Sequence, residues 1–131
     1  MNTKLLGNTG IHLPVIGLGT WQYRGGVEAL RRGIELGANF IDTAEMYGNE
    51  SVVGDAANGQ RDQVFIATKV LGSNLRYHEV IDAATNSLKR LNTDYIDLYQ
   101  VHWFNRNVPI AETMAAMEHL GDQGRVRNIG V

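Results

Sequence analysis

The chain has no cysteine among its 131 residues, which excludes disulfides and thiolate metal sites and fits a reducing compartment. No apolar run approaches the ~20 residues of a membrane span, so no membrane partner is expected. Neither sign of charge dominates: the formal net charge is −2, with charged residues 20% and hydrophobic residues 44% of the total. That balance gives nucleic acid no basic stripe to bind and leaves no acidic tail. Met1–Gly7 has no cationic segment leading into an apolar stretch, so the expected location is cytoplasmic. With two prolines in all, there is no Pro-rich linker, low-complexity tract or internal repeat, and residues 1–131 read as a single domain. A domain of this size buries ~65–70% of the surface its unfolded chain exposes, enough for a real core.

What is present is a rhythm. Gly7-Asn8-Thr9-Gly10 separates two short segments, Lys4–Leu6 and Ile11–Leu13, and supplies the backbone angles of a hairpin turn, with Pro14 closing it. Apolar runs of strand length then follow at Val15–Leu18, Asn39–Ile41, Val64–Val70, Tyr95–Val101 and Val126–Val131. Helical patterns lie between them. Val27, Leu30 and Ile34 share a face before a stop at Leu36-Gly37, and a weaker pattern covers Glu50–Asn58. Ile81, Ala84, Leu88 and Leu91 make a third stripe, with Lys89 and Arg90 in its last turn; a fourth helix opens at Pro109, carries Ile110, Met114, Met117 and Leu120, and stops at Gly121. Strands alternating with helices imply parallel pairing through right-handed crossovers, hence an α/β fold. Four such units and a fifth strand make about half of the eight-unit closed barrel, which takes ~250 residues. The fold expected is a partial (β/α)8 TIM barrel preceded by a β-hairpin.

Polar residues stand at or just beyond the ends of these runs: Asp42, Tyr47, Lys69 and His102. In a parallel sheet, the carboxyl ends of the strands are where a site forms, so an acid, a phenol, an ammonium and an imidazole would converge there. Lys69 within a strand needs an anion or an edge position, because a desolvated ammonium without a partner costs several kcal/mol. Asp42, on the neighbouring strand, is the nearest anion by topology, although Asp42-Thr43-Ala44-Glu45 also has the spacing of a capping box. A phenol ordinarily titrates near 10, and a close ammonium favours its phenolate, which would make Tyr47 a usable general acid. His102 could donate a hydrogen bond to a carbonyl oxygen as negative charge develops there.

Other readings of the same residues are weaker. Gly17-Leu18-Gly19 lacks the third glycine of a dinucleotide fingerprint, its place being taken by Gln22. Trp21 in the loop that follows could instead wall a pocket. His12, His78, His102 and His119 show no paired spacing of the kind a metal site needs, so no metal is expected.

Taken together, Ile16–Trp21, Phe40–Ala44 with Tyr47–Glu50, Ala67–Lys69, Leu98–Trp103 and Gly124–Val131 resemble, in order, the motifs of the aldo-keto reductase family. The resemblance implies a barrel of parallel strands, an NADPH (NADP+) cofactor and reduction of an aldehyde or ketone to an alcohol. By that analogy Tyr47 is the proton donor, Lys69 and Asp42 tune it, and His102 orients the small-molecule carbonyl substrate. Gly19, Thr20, Trp21 and Asp42 would approach the nicotinamide end of the cofactor, and Phe104–Val108 is the candidate substrate loop. In the family, the motif finishing at Val131 continues into a serine-asparagine pair that holds the nicotinamide amide, and later segments supply the ring-stacking residue and the basic loop for the 2′-phosphate, so this chain by itself is expected to be weak or inactive. Two further readings follow from the same scaffold: a non-catalytic half-barrel that self-associates through its open edges, and a binding protein that senses nicotinamide redox state.

Overall fold

A computed structural model describes residues 1–131. Strands β1 (Thr3–Leu5) and β2 (His12–Pro14) form the antiparallel hairpin, with Gly7 and Gly10 at φ 50° and 77° in its turn. The main sheet is parallel, in the order β3 (Leu18–Gly19), β4 (Phe40–Asp42), β5 (Phe65–Val70), β6 (Ile96–Val101) and β7 (Val126–Gly130). The helices between them are α1 (Gly26–Glu35), α2 (Glu50–Ala57), α3 (Tyr77–Leu91) and α4 (Ile110–Asp122). Sequence order equals sheet order throughout, as in one sector of a β/α barrel.

The core lies between sheet and helices. Ile41, Ile66, Val70 and Tyr99 from the strands pack among Val53, Val80, Ala84, Leu91, Met117 and Leu120 from the helices. Gly54 lets α2 approach α3 closely: a β-carbon there would lie 2.5 Å from the carbonyl oxygen of Leu91. Three helices end in the same way, with the chain turning left-handed and an amide reaching five residues back: Ala38 to Gly33, Thr93 to Leu88 and Arg125 to Leu120. The left-handed residues are Gly37, Asn92 and Gly124. The fourth helix therefore passes through Gly121 and ends at Asp122, and Gly124 just beyond it is the glycine that adopts φ 72° and turns the chain away.

Two other expectations need correction. The apolar run places the first strand at Val15–Leu18, but only Leu18 and Gly19 pair with β4; Val15 and Ile16 lie ahead of the paired segment, 49% and 59% exposed. In α4, Ile110 is 44% exposed, and the inward face is Thr113, Ala116, Met117 and Leu120.

At the amino end of the sheet, buried Asp97 accepts hydrogen bonds from the Ile66 amide at 3.0 Å and Arg61 at 2.7 Å, and Arg127 lies 3.4 Å away. The guanidinium carbons of Arg61 and Arg127 sit 4.0 and 3.6 Å from the centre of the Tyr95 ring. The hairpin approaches this end, where His12 and Pro14 share a hollow with Asn39, Phe65 and Arg127.

Candidate active site

The opposite, carboxyl end of the sheet gathers the four candidates. Asp42 closes β4, Tyr47 ends a 3-10 turn at Glu45–Tyr47, Lys69 is the penultimate residue of β5, and His102 directly follows β6. Lys69 is in the middle of the sheet, so it is no edge-strand gatekeeper, and its side chain is only 14% exposed. Its ammonium donates to both oxygens of Asp42, at 2.8 and 2.9 Å, and to the Thr43 carbonyl at 2.8 Å. All three protons of the ammonium are thereby matched to acceptors. The nitrogen also stands 5.2 Å from the centre of the Tyr47 ring.

This pairing displaces the capping box. The Asp42 carboxylate takes the ammonium in place of a backbone amide, because a charge-assisted bond is the stronger one. Glu45 reaches forward, accepting from the Leu71 amide at 2.8 Å and the Asn74 side chain at 3.0 Å. The turn that bears Tyr47 is thus fastened to the loop after β5.

Tyr47 is the centre of an aromatic cluster. Its ring lies 5.0 Å from Trp21 and 5.5 Å, edge-on, from His102, which in turn stacks on Trp103 at 5.4 Å. Trp21, Met46, Tyr47, His102 and Trp103 line an open cleft of about 330 Å³. Trp21, Met46 and Trp103 are 58%, 40% and 60% exposed, an apolar rim around the polar centre. Burial and the Lys69 ammonium hold the His102 imidazole below the usual 6.5, with Asp42 pulling the other way. A neutral ring follows at neutral pH. Its Nδ1 is enclosed and has no hydrogen-bond partner.

Among the residues expected near a cofactor, Gly19 is exposed, with nothing within 4 Å of where a β-carbon would stand. Asp42 is 37% exposed. Thr20 differs: it is wholly buried, and its hydroxyl donates to the Asp42 carbonyl at 3.1 Å. Its side chain supports the loop and does not face the cleft.

Sequence reasoning passed over several contributors. Glu50 is fully buried and accepts from the Thr68 hydroxyl at 2.6 Å and from Arg90 at 2.7 Å. Asn49 and Glu45 likewise hold the site through Thr20 and Leu71, 29 and 26 residues away, and Thr43 is bonded to Asn49 within the same loop. The available signal was the density of polar residues in Asp42–Glu50, too many for a turn that is only capping a helix.

The Aldo/keto reductase family model matches residues 15–131, and the chain belongs to that family. It is 46% identical to the methylglyoxal reductase YeaE of Escherichia coli, with all of this chain aligned to 50% of the relative. It is 42% identical to the aldo-keto reductase YhdN of Bacillus subtilis, again over the whole chain and 46% of the relative. A crystal structure of a thermostable aldo-keto reductase in complex with the inhibitor epalrestat superposes with a TM-score of 0.93 at 40% identity, over 100% of this chain and 53% of that one. A Klebsiella pneumoniae aldo-keto reductase in complex with NADPH gives 0.81 at 44% identity, over 92% of this chain and 45% of that one. The chain spans about half the length of the curated relatives it matches. Its parallel sheet corresponds to part of their barrel. None of its helices is long and apolar enough to cross a membrane.

Proposed function

We propose that this chain carries the proton-donating half of a carbonyl reductase site, with Tyr47 protonating the oxygen of an aldehyde or ketone. The observation that carries the reading is the Lys69 ammonium, pinned by Asp42 and Thr43 and standing 5.2 Å from the Tyr47 ring at the mouth of an apolar cleft. As the carbonyl oxygen gains negative charge, the Tyr47 hydroxyl gives it a proton and is left as a phenolate, which the nearby ammonium stabilises. His102, kept neutral, can donate a hydrogen bond to the same oxygen and aim the carbonyl. Water then returns the proton to Tyr47.

The residues present fit the nicotinamide ribose end of NADPH: open backbone at Gly19 beside a partly exposed carboxylate at Asp42 suits a sugar hydroxyl. Bound there, NADPH would supply the hydride for the carbonyl carbon. The apolar rim of Trp21, Met46 and Trp103 favours a small carbonyl compound with little charge. Methylglyoxal, for which the Escherichia coli relative is named, is the first substrate to test.

The test is fluorescence titration of the purified chain with NADPH, followed by turnover of methylglyoxal. Saturable binding with NADPH consumption supports the reading, even at a low rate. Saturable binding without consumption supports a redox-sensing binding protein, and no binding removes both.

A second reading concerns assembly. Strands β3 and β7 are the edges of the sheet, and Ile129 and Val131 beside one edge are 37% and 81% exposed, which favours pairing with another copy. Light scattering separates the cases: a dimer supports edge-to-edge association, and a monomer at all concentrations removes it.

A further inference from the structure

Asn49 lies two residues beyond Tyr47, and its side-chain amide joins segments that meet at the cleft. Its Nδ2 donates to the Thr20 carbonyl at 2.7 Å, and its Oδ1 accepts from the Thr43 hydroxyl at 3.1 Å. The orientation of the amide is fixed by chemistry, since a carbonyl can only accept. Both threonines are wholly buried, where a satisfied polar link is stiff and a broken one is costly. Thr20 precedes Trp21, and its own amide and hydroxyl both donate to the Asp42 carbonyl. The Thr43 carbonyl receives the Lys69 ammonium. One amide therefore ties the loop of Trp21 to the Tyr47 turn and to the peptide on which Lys69 rests.

Trp21 is itself 58% exposed, and its ring meets Tyr47 at 5.0 Å with the planes tilted by 57°. We propose that Asn49 is a positioning residue that sets the placement of Trp21 against Tyr47, and with it the shape of the cleft entrance that a carbonyl substrate must pass. Only the kinetic consequence rests on the function proposed above; the placement of Trp21 does not.

The test is Asn49→Asp in the full chain labelled with 5-fluorotryptophan, read by fluorine NMR. The protein has two tryptophans, and Trp21→Phe assigns their signals. At neutral pH the new carboxylate has no proton to give the Thr20 carbonyl, so the Trp21 signal should move while that of Trp103 stays. On acidification the protonated carboxyl can donate again, and the Trp21 signal should return toward its wild-type position. The midpoint should lie above the ordinary ~3.9, because only the neutral form is bonded to the carbonyl. Wild-type chain titrated in parallel corrects for Asp42, Glu45, Glu50, Tyr47, Lys69 and His102 around the cleft. Where the chain turns over methylglyoxal, kcat/KM should fall about tenfold to a hundredfold at neutral pH and recover with the signal.

An unmoved Trp21 signal at neutral pH overturns the proposal, as does a displacement that acid fails to reverse. If the aspartate variant does not fold, Thr43→Val decides, since it removes one of the two bonds and keeps the shape. Displacement of Trp21 alone supports the positioning role; no displacement, or equal movement of both tryptophans, overturns it. Absence of turnover in the wild-type chain counts against the proposed reaction and leaves the Trp21 result standing.

Discussion

Arg90 crosses from α3 to place its Nε 2.7 Å from Glu50, a carboxylate with no exposed surface, at the head of α2. Glu50 is also bonded to Thr68, the neighbour of Lys69, so this pair joins two helices to the strand that bears the ammonium. Arg90→Met would leave a buried charge with a hydroxyl as its one remaining partner, at a cost of roughly 3 kcal/mol. Urea unfolding should show a lower midpoint with an unchanged slope. Adding Glu50→Met should recover part of the loss by removing that charge. A double variant no more stable than Arg90→Met would show that the charge was not the cause.

Where turnover of a carbonyl substrate is measurable, Tyr47→Phe should lower it by about 10²–10⁴-fold while NADPH binding is kept, since the hydroxyl acts only on the substrate oxygen. Lys69→Met acts through the same proton, so the double variant should be scarcely worse than either single one. Multiplied losses would mean that the two residues work separately.

His102 has a sign that can be checked. Its folded-state pKa lies below the usual 6.5, so the unfolded chain binds the proton more readily. Stability conferred by the neutral ring is therefore present above 6.5 and declines as pH falls from there toward the folded-state value. Replacing it, as His102→Gln, should flatten the dependence of urea midpoint on pH across that window. A wild-type imidazole whose NMR titration midpoint sits at or above 6.5 would contradict the assignment.

Two glycines should respond in opposite ways. Gly54→Ala sets a methyl group against the Leu91 backbone, which cannot rotate aside, and should cost ~1–3 kcal/mol in thermal or urea unfolding. Gly19→Ala meets nothing within 4 Å and should leave stability within about 0.5 kcal/mol. If the cofactor's ribose lies beside Gly19, the same methyl should weaken NADPH binding; unchanged affinity would move the ribose elsewhere.

The convergence of Asp42, Tyr47, Lys69 and His102 was legible because each follows or interrupts an apolar run, and parallel strands of like order deliver such positions to one rim. The helices were legible for the same periodic reason. What misled was local. Val15 and Ile16 have the composition of a strand, yet pairing starts only at Leu18, and composition says nothing about where a ladder begins. Asp42 and Glu45 have capping spacing, but partners 27 and 26 residues further along, Lys69 and Leu71, outcompete the nearby amides. Glu50, Asn49 and Thr43 were silent for a related reason. Glu50 and Asn49 depend on Arg90 and Thr20, 40 and 29 residues away, separations that no periodicity encodes, and Thr43 acts through Asn49.

The Asp97 cluster has a bearing on how such a chain can change. Arg61 and Arg127 flank Tyr95, share one carboxylate, and fasten β5 to β6 at the end remote from Tyr47. Because this footing finds its partners at its own end of the sheet and borrows nothing from the cleft, the rim can be rewritten, one loop at a time, for a different molecule without unsettling the foundation beneath it.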